Sequence, residues 1–285
     1  MLDILITIIC IILLIFIWVM LYDSNRFVVS RYTIGSNKIK KNVRAVILAD
    51  LHNKCYGKDN ERLLAAIEEC APDIILVAGD ILTAKPKESM DTAIHLMKTL
   101  VAKYPIYYGS GNHEHRLKLY PEKYGDMYER YEKVLAEAGI TWLVNSHVTL
   151  SDYGITIYGA EIDRFYYKRF RVQDMQPDYL KNTLGQTGGD TFNILLAHNP
   201  DYFPQYVQWQ ADFVCAGHVH GGMVRIPFLG KGVVSPNVRL FPRYDGGIYQ
   251  EGNTTMLLSR GLGMHTIPIR IFNPGELWVV DFTTE

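Results

Sequence analysis

Five short blocks of this 285-residue chain carry side chains of the kind that bind metals: Asp50-Leu51-His52, Gly79-Asp80, Gly111-Asn112-His113-Glu114, His198-Asn199-Pro200 and Gly217-His218-Val219-His220. Imidazole, carboxylate and an amide carbonyl form a mixed nitrogen and oxygen set. That set suits manganese, iron or zinc, unlike the thiolate set of a structural zinc site. Four histidines (His52, His198, His218, His220), two aspartates (Asp50, Asp80) and Asn112 exceed what one tetrahedral ion needs. They fit two divalent ions with one carboxylate bridging. Such a pair, about 3.5–4 Å apart, activates water near neutral pH and clamps the oxygens of an in-line displacement at phosphorus. In the D-x-H and H-x-H blocks, extended backbone projects both side chains to one side. Gly79, Gly111 and Gly217 allow a sharp departure from the preceding run.

These blocks follow short apolar runs at 43–49, 74–78, 106–108, 192–197 and 213–216, rich in Val, Ile, Leu and aromatics, which read as buried strands. Helical spacing of apolar residues marks 60–70, 89–103 and 122–138, with Pro72, Pro105 and Pro121 at the boundaries. Further strands are expected at 154–161, 254–259 and 276–283. Together these elements predict an α/β sandwich with a mixed sheet. Its carboxyl-edge loops gather residues distant in sequence into one crevice.

The chain has a formal net charge of −1 and a mean hydropathy of −0.01, which excludes a disordered chain and a polybasic nucleic-acid surface. That average conceals residues 4–22, ILITIICIILLIFIWVMLY, which contain no ionisable acid or base stronger than Cys or Tyr. As a helix, roughly 20 such residues cross a bilayer. Asp3 before the run and no small-x-small site after it favour an uncleaved single-pass anchor over a signal peptide. Trp18 and Tyr22 are expected at the interface. Arg26, Arg31, Lys38, Lys40, Lys41 and Arg44 all follow the helix, so the positive-inside rule predicts a cell-membrane protein with a cytoplasmic body. Cys55, Cys70 and Cys215 outside the anchor suggest no disulfide framework. The expected organisation is an anchor at 1–22, a polar tether at 23–42 and one domain at 43–285.

The ordered blocks D-x-H, GD, GNHE, H and GHxH resemble the calcineurin-like metallophosphoesterase superfamily. The segments HGGMVRIPFLG, SRGLG and PIRIFNPGEL make the chain similar to the membrane-associated bacterial branch of that superfamily. The resemblance implies a four-layer α/β/β/α sandwich with mixed sheets and a dinuclear site at strand ends. It implies that Asp50, His52 and His220 hold one metal, that Asn112, His198 and His218 hold the second, and that Asp80 bridges. The ions are two divalent cations, manganese first, with iron or zinc as alternatives. His113 is then a catalytic group, either a proton donor to the leaving group or a stabiliser of phosphoryl charge, with Asp50 as its partner. A metal-bridging hydroxide attacks phosphorus with no phosphoenzyme. Glu114 reads as a loop tie and not as a ligand.

Arg116, Arg225, Arg260 and Arg270 are candidates for phosphate contacts, with local salt bridges or carbonyl ties as the equal alternative. His95, His115, His147 and His265 read as ordinary histidines, and Cys55 as a small buried apolar residue. The Gly- and Pro-rich segment 221–252 reads as a cap or a substrate-side loop. Gly79-Asp80 continues as Ile81-Leu82-Thr83 and lacks the D-R-G of Ser/Thr phosphatases. The anchor points to a phosphoester substrate at the bilayer, a lipid-linked phosphate such as a UDP-diacylglucosamine-like molecule, with no nucleic acid expected. The alternatives are a nucleotide phosphodiesterase with no lipid preference and a non-catalytic metal-binding membrane module.

Overall fold

Residues 1–264 and 268–285 are described by a computed structural model. His265 lies outside the described residues. In chain order the strands are β1 (Phe27–Gly35), β2 (Val43–Leu48), β3 (Ile74–Val77), β4 (Ile106–Gly109), β5 (Thr141–Leu143), β6 (Ser146–Leu150), β7 (Ile155–Ala160), β8 (Phe192–Ala197), β9 (Phe213–Ala216), β10 (Arg225–Ile226), β11 (Lys231–Gly232), β12 (Gly247–Glu251), β13 (Thr254–Leu258) and β14 (Gly275–Thr283). The α-helices are α1 (Leu2–Ser24), α2 (Glu61–Cys70), α3 (Asp91–Val101), α4 (Asn112–Leu119), α5 (Pro121–Tyr124), α6 (Met127–Glu137), α7 (Tyr179–Leu184) and α8 (Phe203–Gln208).

Two six-stranded sheets carry the fold, ordered β1-β14-β2-β3-β4-β5 and β12-β13-β9-β8-β7-β6, while β10 and β11 form a separate hairpin. Each large sheet is mixed. The β2 to β5 run and the β7, β8, β9, β13 run are parallel, whereas β14 with β2, β6 with β7 and β12 with β13 are antiparallel. The strands in the middle are buried on both faces, which is why they read as continuous apolar runs. Along β2, Ala45 and Ile47 face the second sheet and meet Ile157, Ile194, Leu196 and Phe213. Val46 and Leu48 face the other way, in the layer holding residues of α2, α3 and α6. The outer face of the second sheet is covered by residues of α7 and α8, including Leu180, Phe203 and Tyr206. The result is the expected α/β/β/α sandwich.

Two elements differ from expectation. Residues 23–42 are not a tether: β1 lies in parallel register on β14, from Phe27 opposite Gly275 to Gly35 opposite Thr283. Its alternation of half-buried and exposed residues is that of an edge strand. Phe27, Tyr32 and Ile34 pack inward, and the interleaved Ser30, Arg31 and Thr33 lend the segment its polar look. The helix expected at 122–138 is broken at Gly125, whose φ of 62° turns the chain between α5 and α6.

Helix α1 is long and apolar enough to cross a membrane, and it is exposed along most of its length. Its last turns are not free. Val19, Asp23 and Ser24 are buried against the body. Asp23 Oδ1 pairs with Arg26 at 2.8 Å, and Oδ2 accepts the Asn273 N–H at 3.0 Å.

Candidate metal centre

The ligand blocks leave the carboxyl ends of β2, β3 and β4 in one sheet and of β8 and β9 in the other, so the crevice lies where two sheet edges meet. The turns are tight. Asp50, His52, Asp80, His218 and His220 all have positive φ, between 50° and 73°. The D-x-H and H-x-H pairs are therefore not extended. Their side chains converge through consecutive turns, in a backbone region that non-glycine residues occupy only where the surroundings enforce it. Backbone bonds supply that enforcement: Asp50 N–H to Gly79 O (3.0 Å), His52 N–H to Asp80 O (3.1 Å) and Gly217 N–H to His198 O (3.1 Å). Gly111 permits a close approach, since a Cβ there would lie 2.2 Å from Asp80 Oδ1.

The five blocks converge into a buried cluster. Asp50, His52 and His220 offer ligand atoms within 4.8 Å of one another, as do Asp80, His198 and His218, and a third group joins His52, Asp80 and His113. Asp80 Oδ2 lies 3.1 Å from His198 Nε2 and 3.8 Å from His52 Nε2, between the two sets. Asp50 Oδ1 lies 3.3 Å from His220 Nε2 and 3.6 Å from His198 Nε2.

Several features fit cations at this position. The Nε2 atoms of His52 and His220 face each other at 3.1 Å. Two nitrogens each about 2.1 Å from one ion at angles of roughly 90–109° stand about 3.0–3.4 Å apart. Asn112 Oδ1 is buried with no hydrogen-bond partner among the described residues, although a buried carbonyl oxygen is costly to leave unpaired. His198 Nδ1 meets Ala78 O at 2.6 Å, so it carries the proton and leaves the Nε2 lone pair for a metal.

Charge is shared tightly here. Burial disfavours ionisation of Asp80, yet His198 outweighs it and holds the carboxyl well below its usual range. Burial pushes Asp50 up, against the pull of His198. Burial lowers His198, but Asp80 and Asp50 prevail and raise it to about 10. Burial pushes His52 well down. Divalent cations take over the charge-balancing role of these protons when they bind.

His113 opens α4 without joining either three-residue set around Asp50 or His198. Both carboxylate oxygens of Asp50, the partner the resemblance assigns to His113, accept the His218 N–H, at 3.1 and 2.9 Å. His113 Nδ1 accepts the Ala84 N–H at 2.8 Å, and its own backbone N–H donates to Asp80 Oδ1 at 2.7 Å. A backbone amide can only donate, so Nδ1 is unprotonated and the ring is neutral with its proton on Nε2, 4.0 Å from Asp80 Oδ2.

Glu114 reaches back across the first turn of α4. Its carboxylate accepts N–H bonds from Asp80, Ile81 and Gly111, and the Tyr108 hydroxyl donates at 2.7 Å. Burial and Asp80 push this carboxyl up to about 7, against those donors. Glu114→Gln sets an amide NH₂ against N–H donors. At about 1–3 kcal/mol for a buried mismatch, and about 2–4 °C per kcal/mol at this size, Tm is expected to fall by roughly 2–12 °C. Thermal unfolding checks this, and an unchanged Tm contradicts the assignment.

Of the candidate phosphate-binding arginines, Arg116 lines a cleft of about 500 Å³ beside His52, Thr83, His113, Lys123 and Met264. It also donates to the Tyr124 hydroxyl at 2.8 Å. The others serve the scaffold. Arg225 Nη1 donates to Gly221 O (3.0 Å) and Asp245 O (2.9 Å), and Arg260 pairs with Glu276 at 2.8 Å. Arg270 is fully buried and donates to the carbonyls of Gly261, Gly263 and Asn273. Their guanidinium donors hold the loops behind the ligands. Cys55 is exposed and not buried. Two residues that no motif marked stand over the second set: Tyr167, whose ring meets that of His218 edge-on at 4.9 Å, and Asn237, whose amide lies 2.8 Å from His218 Nε2.

Two facing mixed sheets with aspartate, histidine and asparagine gathered at their carboxyl ends define a metallophosphoesterase. The family model described as Calcineurin-like phosphoesterase matches residues 43–222, and the chain belongs to that family. It is 29% identical over 240 residues to the uncharacterized metallophosphoesterase YkuE of Bacillus subtilis, covering 83% of this chain and 77% of that one. It is 26% identical over 243 residues to a zebrafish transmembrane protein with a metallophosphoesterase domain, covering 82% of this chain and 52% of that one. To the phosphodiesterase YaeI of Escherichia coli it is 23% identical over 223 residues, covering 77% of this chain and 75% of that one. Several other relatives are longer, and the chain spans only 48% to 60% of their length. The protein is a hydrolase acting on phosphoester bonds.

Proposed function

We propose that this is a membrane-tethered phosphodiesterase or pyrophosphatase whose substrate is a lipid-linked phosphate, of the UDP-diacylglucosamine kind, approached from the bilayer. In this reading Asp50, His52 and His220 hold one divalent ion, Asn112, His198 and His218 hold the other, and Asp80 is shared. When bound, the ions, manganese foremost, supply Lewis acidity and an activated water for attack on phosphorus. His113 directs its Nε2 proton at the developing charge. Arg116 and Lys123 border the cleft as cationic contacts for phosphate. The body lies on the cytoplasmic side, by the excess of Lys and Arg after the anchor.

The observation that carries the lipid reading is the bonding path from anchor to ligand loop. Asp23, at the end of α1, accepts the Asn273 N–H, and the Asn273 side-chain amide donates to His220 O at 2.7 Å and Met223 O at 3.2 Å. Two residues thus join α1 to a ligand-bearing turn, which supports the reading of a centre kept close to the bilayer that α1 would span.

The test is turnover by the full-length, manganese-loaded protein of phosphomonoesters, nucleotide diesters and lipid pyrophosphates presented in vesicles. Preference for the lipid pyrophosphate is expected. Turnover confined to soluble nucleotides overturns the lipid reading, and no turnover of any phosphoester overturns the catalytic one.

A further inference from the structure

The loops around His220 leave large apolar side chains in water. Phe228 and Leu229, at the tip of the β10–β11 hairpin, are 108% and 71% exposed, and Leu240, Phe241, Phe170 and Phe272 are also exposed. Backbone hydrogen bonds connect these segments. Arg225 N–H bonds Ile271 O (3.0 Å), Val233 N–H bonds Val224 O (2.8 Å), Phe241 N–H bonds Val233 O (2.8 Å) and Phe170 N–H bonds Asn237 O (3.1 Å). The series ends on α1, where the Phe272 ring meets that of Phe16 edge-on, with centroids 6.4 Å apart. Phe16 precedes Tyr22 by six residues, which on a helix is about 9 Å further into the apolar span. The body therefore touches its own anchor below the level where the anchor's interfacial tyrosine is expected.

Charge follows the same pattern. The stretches 168–172 (KRFRV), 226–231 (IPFLGK) and 238–243 (VRLFPR) contain Lys168, Arg169, Arg171, Lys231, Arg239 and Arg243 and no carboxylate. Arg239 is paired with Asp201, while the other five are exposed. Apolar side chains flanked by Lys and Arg are the composition of surfaces that seat in a phospholipid interface, with the rings among the acyl chains and the cations at the phosphates.

We propose that this face, formed by Phe170, Phe228, Leu229, Leu240, Phe241 and Phe272, inserts into the headgroup region of an anionic phospholipid bilayer. The metal centre is then held at the bilayer surface by a second contact besides α1. The proposal rests on α1 being a membrane span. It does not depend on the identity of the substrate.

The test uses the full chain in vesicles of phosphatidylethanolamine and phosphatidylglycerol. An environment-sensitive fluorophore is placed in turn on Phe228→Cys, Phe241→Cys and, on the outer helix layer, Glu137→Cys, each with Cys10 and Cys55 changed to serine. The native Cys10, labelled in a chain with Cys55 changed to serine, reports on the anchor. Probes at 228 and 241 are expected to shift to the blue and lose most of their emission to doxyl-labelled phospholipid, as at Cys10, while the probe at 137 does neither. Quenching at Cys10 with none at 228 and 241 overturns the proposal and leaves the anchor intact. A blue shift without lipid quenching, which marks cover by a protein surface, also overturns it. An unquenched Cys10 removes the anchor and the proposal together. Hydrolysis of bis-p-nitrophenyl phosphate by the labelled proteins reports separately on the catalytic reading.

Discussion

Asp80→Ala will lower turnover of bis-p-nitrophenyl phosphate by more than about 100-fold and cut the bound metal below two ions per chain. Loss of a residue that merely orients a ligand costs about 10–100-fold in metal affinity or activity, and removal of a shared ligand should exceed that. Asp80 Oδ2 stands within 4.0 Å of the imidazoles of His52, His113 and His198, so its removal leaves three rings around a missing negative charge. Its Oδ1 also holds the His113 N–H at the start of α4. Asp80→Asn separates these roles, because the amide carbonyl can still accept that N–H while the charge is gone. Asp80→Asn is therefore expected to keep a near-native Tm and still lose metal. Elemental analysis and steady-state kinetics check both variants. Two ions and native turnover in Asp80→Ala remove Asp80 from the centre.

His113→Ala should leave metal content and KM close to native and lower kcat by about 10²–10³-fold, the range for losing one preorganised donor to a developing oxyanion. The Ala84 N–H on Nδ1 further specifies how that loss varies. A ring that must stay neutral is a hydrogen-bond donor and a poor acid, so its natural target is charge on the phosphoryl oxygens. The factor lost on substitution should then be the same for a p-nitrophenyl ester and for an alkyl ester with a far more basic leaving group. A proton donor to the leaving group gives the opposite pattern, with the alkyl ester losing much more. That pattern would contradict the hydrogen bond seen between Ala84 and His113.

The chemistry of the site was legible in the sequence because ligand type is a property of single residues, and all five blocks follow apolar runs that form strands. How the blocks meet was less legible. Equal-looking buried runs do not say which sheet they join, so a crevice between two sheet edges reads as one edge. The two-residue spacing of His218 and His220 suggested extended backbone, whereas both residues sit at positive φ. At His218 that conformation goes with a bond from its backbone N–H to the Asp50 carboxylate, 168 positions away, which residue spacing does not reveal. Arg225, Arg260 and Arg270 carry the right chemistry for phosphate, and only the folded chain shows carbonyls and Glu276 taking their donors. Asn237 and Tyr167 belong to no motif, and their place beside His218 follows from long-range packing. The strand at 27–35 was missed because an edge strand with one wet face has a composition close to that of a polar linker.

That same strand sets an order of events during synthesis. β1 follows α1 at once, yet its only sheet neighbour among the described residues is β14, and Ser30 reaches its carboxylate partner Glu276 across 246 positions. A nascent chain therefore carries an unpaired strand until nearly the whole domain has emerged. Contacts of such long range are slow to form, and an exposed strand edge is a site for pairing with other chains. The exposed Arg and Lys side chains just after α1, Arg31, Lys40 and Lys41, lie along or next to this waiting edge, where like charge opposes premature association while the sheet is incomplete.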